Sequence, residues 1–259
     1  MDLGLTGRKV VVTGAGRGIG LAVVRGFVAE GAHVIAGSNK ITAELAELAD
    51  QGSVTPVAVD LAEPDGPGAL IEVAGERVDV LVNNVGIAPP RPEGFLAVPD
   101  ELWTQTWNLN LMAAVRASRA VLPVMLARGG GVIVNTGSLN ARLPDPLVID
   151  YSASKAALVN FAKALSKEFG GRGIRVNTID PGPVATDLWL GADGVAARVS
   201  AASGQSPQAI AAGAAAQMVT GRFSHPDEVA NLVLFVASDR AGNITGADFT
   251  IDGGMVTTL

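Results

Sequence analysis

Tyr151 and Lys155 stand four residues apart in Tyr151-Ser152-Ala153-Ser154-Lys155, where a strongly helical stretch opens. At that spacing two side chains share a helical face and lie within reach of each other. An ammonium beside a phenol favours the phenolate and lowers its pKa from about 10 toward neutrality. That would make Tyr151 a proton donor or acceptor at neutral pH. Tyr151 is the only tyrosine in the chain, and Lys155 is one of five lysines. Thirteen residues upstream, Ser138 follows the apolar run Val132-Ile133-Val134-Asn135. A serine at a strand end could meet Tyr151 on one carbonyl oxygen; it could also be an N-cap or turn serine.

Other chemistries are excluded by composition. Among 259 residues there is no cysteine, so disulfides, thiolate metal sites and cysteine nucleophiles are ruled out. Two histidines cannot build a three-histidine metal site, and His33 and His225 read as a strand residue and a turn residue. No H-E-x-x-H, G-x-S-x-G, EF-hand or P-loop pattern occurs, and no metal is expected. The net charge of −6 and a pI near 4.9 argue against nucleic acid or an anionic membrane as partner. Read from the sequence, no apolar run approaches the 18 or so residues of a membrane helix. The glycine-broken N-terminus does not read as a signal peptide, so a cytoplasmic protein is expected.

The elements that must position these residues alternate between β and α. Strands are expected at Val10 to Thr13, His33 to Ala36, Thr55 to Val59, Val78 to Val82, Gly131 to Asn135, Ile174 to Ile179 and Asp248 to Ile251. Most are continuous apolar runs, as in parallel strands buried on both faces. Helices are expected at Ile19 to Glu30, Thr42 to Asp50, Gly68 to Gly75, Glu101 to Ala127, Tyr151 to Phe169 and Pro226 to Ser238. This pattern predicts an α/β fold, a doubly wound parallel sheet of Rossmann type with right-handed crossovers. With no repeat and no linker, residues 1–259 read as a single dinucleotide-binding and catalytic domain. The Ala-, Gly- and Ser-rich stretch from Gly191 to Gln217 lacks strand signal and reads as part of a helical substrate lid, about 187–220.

The first strand runs into Gly14-Ala15-Gly16-Arg17-Gly18-Ile19-Gly20 and then a helix. Exposed N–H groups of such a turn, with the helix N-terminus behind them, attract a pyrophosphate, and glycines let it approach the backbone. The spacing is G-x-x-x-G-x-G on Gly14, Gly18 and Gly20, not G-x-G-x-x-G.

From this turn onward the chain resembles the short-chain dehydrogenase/reductase family, and within it the 3-oxoacyl-[acyl-carrier-protein] reductases. Thr13 to Gly20 match the family's T-G-x-x-x-G-I-G, and Asp60-Leu61 match the D-[LV] expected near an adenine. Asn83-Asn84-Val85-Gly86 match N-N-x-G, with Val85 where alanine is commoner. Thr136-Gly137-Ser138 match the family's serine context, and Pro181-Gly182-Pro183-Val184-Ala185-Thr186 match P-G-x-[VI]-x-T, whose backbone and threonine hold a nicotinamide carboxamide. Asn110 matches the family's asparagine in the long helix, with Asn108 a near competitor; holding water, kinking the helix or simply filling the core are all open to it. Asp180 departs from the family, which more often has Ala, Ser or Asn there, and whether it is capped by N–H groups or tunes the substrate side stays open.

The resemblance implies catalysis by Asn110, Ser138, Tyr151 and Lys155. It implies cofactor binding by Gly14, Arg17, Gly18, Ile19, Gly20, Ser38, Asn39, Asp60, Leu61, Asn83, Gly86, Tyr151, Lys155, Pro181, Gly182, Val184 and Thr186. The second strand ends in Ser38-Asn39-Lys40 with no acid for a ribose 2′-OH, and Arg17 lies in the glycine turn. NADP is therefore expected, with NAD possible. The expected reaction interconverts a carbonyl and a secondary alcohol by hydride transfer, with Tyr151 as general acid and base. Leu139, Leu143, Leu147, Val148 and Trp189 favour an apolar ketone or a 3-oxoacyl compound as the small-molecule substrate. An NAD-dependent hydroxysteroid or secondary-alcohol dehydrogenase of the same fold is the alternative, and a catalytically silent dinucleotide-binding regulatory protein is the rival from another class. The resemblance also implies a homotetramer assembled through the two long central helices.

Overall fold

A computed structural model of the chain describes residues 1–257. Seven strands, β1 (Lys9–Thr13), β2 (His33–Ser38), β3 (Val54–Ala58), β4 (Val80–Asn83), β5 (Gly131–Thr136), β6 (Ile174–Pro181) and β7 (Asp248–Ile251), form one sheet in the order β3-β2-β1-β4-β5-β6-β7. Every pairing is parallel. The apolar runs are continuous because the sheet is covered on both sides. Val10 and Val12 face one core with Phe27, Val229 and Val233; Val11 faces the other with Leu70, Val121 and Ile133. That alternation is the two-residue period of a strand.

Helices α1 (Gly18–Ala29) and α10 (Pro226–Ala237) cover the first face. On the other lie α3 (Gly66–Ala74), α5 (Ala113–Ala127) and α6 (Ile149–Phe169). Helix α2 (Ala43–Asp50) connects β2 to β3, its first turn capped by the Thr42 hydroxyl accepting from Leu45 N–H at 3.3 Å. Strand β4 starts two residues later than its apolar run suggests. Asp79 instead turns its carboxylate to accept from Lys9 N–H at 2.7 Å and from Arg77 Nε at 2.8 Å.

The expected long helix from Glu101 to Ala127 is instead α4 (Asp100–Trp107), a π turn over Asn108–Met112, and α5. By length and composition this 28-residue run is long and apolar enough to cross a membrane, contrary to the reading of the sequence; half of its most apolar stretch is buried inside the domain. The Ala- and Gly-rich region folds into three short helices, α7 (Asp187–Leu190), α8 (Val195–Ser203) and α9 (Pro207–Ala215), with no strand. Strand order reverses direction at β1 and β4, which opens a crevice at the C-terminal ends of the strands, where ligands of doubly wound sheets bind.

Candidate active site

The turn after β1 is shaped by what its glycines leave out. Gly14 and Gly18 have φ of +67° and +55°, which side-chain-bearing residues rarely adopt. A Cβ on Gly20 would lie 2.1 Å from the Gly14 carbonyl oxygen, so α1 can start this close to β1 only with glycine there. No side chain caps α1: Arg17 occupies the N-cap position and makes no cap bond. Its first-turn N–H groups are thus available to an anion. Asn84 secures the turn, donating from Nδ2 to the Thr13 and Gly14 carbonyls at 3.1 Å each. The Thr13 hydroxyl oxygen accepts in return from Asn84 N–H at 2.9 Å. A cradle held open by missing Cβ atoms beside an uncapped helix fits a pyrophosphate.

Tyr151 sits in the first turn of α6, with Lys155 one turn on. The ammonium lies 5.8 Å from the centre of the phenol ring and donates to the Thr136 carbonyl at 2.6 Å. The expectation that it lowers the tyrosine pKa is not met. Burial pushes the Tyr151 phenol up to about 12; the neighbouring Ser138 hydroxyl opposes this, and the negative charge of Asp180 adds to it. Lys155 itself is pulled down to about 8 by burial, partly countered by Asp180. Desolvation of the phenolate sets the direction, while the ammonium is satisfied by a backbone carbonyl. At neutral pH Tyr151 therefore carries its proton.

Ser138 is both a capping serine and a cavity residue. It is the N-cap of a single 3-10 turn, its Oγ accepting from Asn140 N–H at 3.1 Å, and it lines the same cavity as Tyr151. Asn110, buried in the π turn, is fully partnered. Its Oδ1 accepts from Ile87 N–H at 2.8 Å, and its Nδ2 donates to the Ile87 carbonyl at 2.9 Å and to Ser154 Oγ at 3.1 Å. It ties the loop after β4 to α6 one residue before Lys155. A π turn here matches the frequent use of such bulges at functional sites.

A cavity of about 490 Å³ opens beside these groups. Of the expected site residues, Ile19, Gly86, Ser138, Tyr151, Lys155, Pro181, Gly182, Val184 and Thr186 line it. Gly14, Arg17, Gly18 and Gly20 form the adjoining turn. Thr186 bridges the two regions, its Cγ2 lying 3.3 Å from where a Cβ of Gly18 would stand. Ser38 is buried beside the same turn; Asn39 and Asp60 are exposed beyond the strand ends, and Leu61 is part of the core.

Asn83 does not reach the cleft either. Its Nδ2 donates to Asn135 Oδ1 at 2.9 Å and to Ser118 Oγ at 3.3 Å inside the sheet, so Asn84, not Asn83, reaches the cleft. Strand alternation makes neighbours face opposite ways, and a motif of two asparagines does not say which faces where. Leu143 likewise does not line the cavity, being exposed, whereas Leu139, Leu147, Val148 and Trp189 do. Trp189 also packs edge-on against Phe223 at 5.2 Å between ring centres. His33 bonds Thr55 Oγ1, and His225 starts α10, its N–H donating to Glu228. Among the described residues no group of three potential metal ligands occurs.

A buried ion pair that sequence reading missed lies next to Tyr151. Asp150 accepts from Arg91 Nη2 at 2.6 Å and from Thr106 Oγ1 at 2.7 Å, while Arg91 N–H donates to the Leu147 carbonyl at 2.7 Å. Burial pushes the Asp150 carboxyl up, but the bonds from Arg91 and Thr106 and the Arg91 charge outweigh it and hold the group below its ordinary value.

Residues 14–256 match the family model described as enoyl-(acyl carrier protein) reductase. The chain is 37% identical to the D-threitol dehydrogenase of Mycolicibacterium smegmatis, over 98% of this chain and 94% of that one. It is 34% identical to the 3-oxoacyl-[acyl-carrier-protein] reductase of Thermotoga maritima, over 97% and 99%. Among solved structures it is similar to the L-sorbose reductase of Gluconobacter frateurii complexed with NADPH and L-sorbose. That likeness has a TM-score of 0.91 and 36% identity, covering 100% of both chains.

Proposed function

The chain belongs to the short-chain dehydrogenase/reductase family, and from that premise we propose that it reduces a carbonyl to a secondary alcohol with NADPH, Tyr151 supplying the proton. It is an NAD(P)-dependent oxidoreductase acting on CH–OH groups, as its relatives are. The observation that carries the finer reading is the Ser138–Tyr151 pair, two adjacent hydroxyls on the wall of a cavity that is otherwise largely apolar.

The dinucleotide, when bound, supplies the hydride from its nicotinamide ring. Ser138 holds the carbonyl oxygen, and Tyr151, protonated at neutral pH, delivers a proton to it. Lys155 stands at the base of this pair on the Thr136 carbonyl, and Asn110 braces the loop against α6. The turn from Gly14 to Gly20 holds the pyrophosphate, and the segment from Pro181 to Thr186 holds the nicotinamide end. Helices α7–α9 act as a lid that excludes water from the reacting carbonyl.

Leu139, Leu147, Val148, Trp189 and Ile210 line the cavity, and they favour an apolar ketone or a 3-oxoacyl compound. A second reading, a sugar or polyol, draws on Asn140, Asp145 and Gln205, which line it too, and on the L-sorbose and D-threitol enzymes among the relatives. A screen of NADPH consumption against aliphatic ketones, 3-oxoacyl thioesters, steroids and ketoses separates the two. Faster turnover of L-sorbose than of every apolar ketone would reject the apolar reading. The run from α4 to α5 and helix α6 would join four copies, and sedimentation giving a monomer at micromolar concentration would reject that.

NADPH is favoured over NADH because β2 ends without an acid, while Arg17 and Lys40 offer positive charge at the rim of the turn. Placing a carboxylate at Ser38 would repel a 2′-phosphate and accept from a 2′-hydroxyl. Ser38→Asp should therefore move the ratio of kcat/KM values toward NADH by about tenfold or more. An unchanged ratio would mean that the 2′ position is read elsewhere.

A further inference from the structure

Asp180 is the one acid in β6, and the reaction just described does not use it. It is 1% exposed. Its Oδ1 accepts from the backbone N–H of Ser138 at 3.1 Å, and its Oδ2 is buried with no hydrogen-bond partner. A Cβ on Gly137 would lie 1.9 Å from Oδ1, so the carboxylate presses directly on the peptide that presents Ser138. Lys155 bonds the carbonyl of Thr136 in the same three-residue segment. The charged and titratable groups facing Asp180 come from three elements. Arg142, in the loop after β5, has Nη2 3.9 Å from Oδ2 and is bonded at 2.6 Å to Asp248 of β7; Lys155 and Tyr151 face it from α6.

Building on the carbonyl-reductase reading, we propose that Asp180 is a positioning residue that holds Ser138 in place for the substrate carbonyl. Its carboxylate fixes the Ser138 peptide under the substrate carbonyl, and its buried negative charge adds to the burial that pushes the Tyr151 phenol up. The reaction has Tyr151 as the phenolate at one end in either direction, and a fixed anion nearby disfavours that second negative charge. Burial holds the Asp180 carboxyl at about 6, so it is largely ionised at neutral pH. The Ser138 N–H bond and the orphan oxygen fit this role. The bond orients the serine, and the unshared oxygen leaves the charge unspent on hydrogen bonding.

Because Tyr151 is the only tyrosine, the ultraviolet band of tyrosinate reports its ionisation alone. That band is followed in rapid pH jumps, read before alkaline unfolding, for the wild-type chain, Asp180→Asn and Asp180→Ala. Asparagine keeps an acceptor for Ser138 N–H and removes the charge; alanine removes both. The expected result is a Tyr151 midpoint lower in both variants by on the order of one pH unit. Reduction kcat should fall by about tenfold in Asp180→Ala and stay within about twofold of wild type in Asp180→Asn. A midpoint that does not move in either variant overturns the proposal, as does an equal loss of kcat in both. Failure of the wild-type chain to reduce any carbonyl would sink the functional reading instead, and the titration would still decide the part played by Asp180.

Discussion

Tyr151→Phe should lower the turnover of every carbonyl substrate by about 10³- to 10⁴-fold while leaving NADPH affinity within about twofold. Phenylalanine keeps the ring beside the Lys155 ammonium and removes only the hydroxyl that meets Ser138. Proton transfer to the developing alkoxide is then left to water, which the mostly apolar cavity wall orients poorly. The dinucleotide turn and the segment from Pro181 to Thr186 lie apart from that hydroxyl, so binding should survive. Fluorescence titration of NADPH alongside steady-state rates separates the two effects. Near-normal turnover in this variant would mean that another group delivers the proton.

Arg91→Leu should cost about 3–5 kcal/mol of stability at neutral pH, because it leaves the Asp150 carboxylate buried without its cation. The Asp150 side chain is fully buried and that of Arg91 only 12% exposed, so solvent does little to soften the loss. For a chain of this size the thermal midpoint should drop by about 10 °C. The pH dependence has a definite sign. Asp150 is held below its ordinary value in the folded chain, so the pair contributes above the unfolded carboxylate pKa of about 4, and its contribution is lost as pH falls. The gap between wild type and variant should therefore narrow in acid. The double variant Arg91→Leu with Asp150→Leu should recover much of the loss, since two apolar groups leave no unpaired charge. An equal deficit at pH 3 and at neutral pH would show that packing, not charge, sets the effect. Turnover should fall as well, because the pair joins the loop after β4 to the first turn of α6, where Tyr151 sits.

The Tyr–Lys spacing, the strand-end serine and the glycine turn were readable because each is local. A helix brings i and i+4 together, and a glycine at positive φ leaves its mark in a few residues. The seven strands were readable for a similar reason, since a sheet buried on both faces demands unbroken apolar runs. What escaped reading depends on pairs distant in the chain. Arg91 and Asp150 are 59 positions apart, and nothing near either one announces the other. The choice between Asn83 and Asn84 turned on which face of β4 each occupies. The Tyr151 pKa escaped for a different reason. Spacing located the ammonium but could not show it bonded to the Thr136 carbonyl, nor weigh that against burial of the phenol. The π turn at Asn110 is a backbone event that residue types alone do not mark, although Asn108 and Asn110 are poor mid-helix residues and hinted at an irregularity.

The central claim, that this chain transfers hydride to a carbonyl with Tyr151 as the acid, is tested most directly by following loss of NADPH absorbance with the wild-type chain and a ketone panel. The prediction is substrate-dependent oxidation of NADPH that matches alcohol formed mole for mole, for at least one apolar ketone or 3-oxoacyl thioester. A chain that binds NADPH tightly and consumes none with any carbonyl would contradict it and identify a binding protein that has kept the site without the reaction.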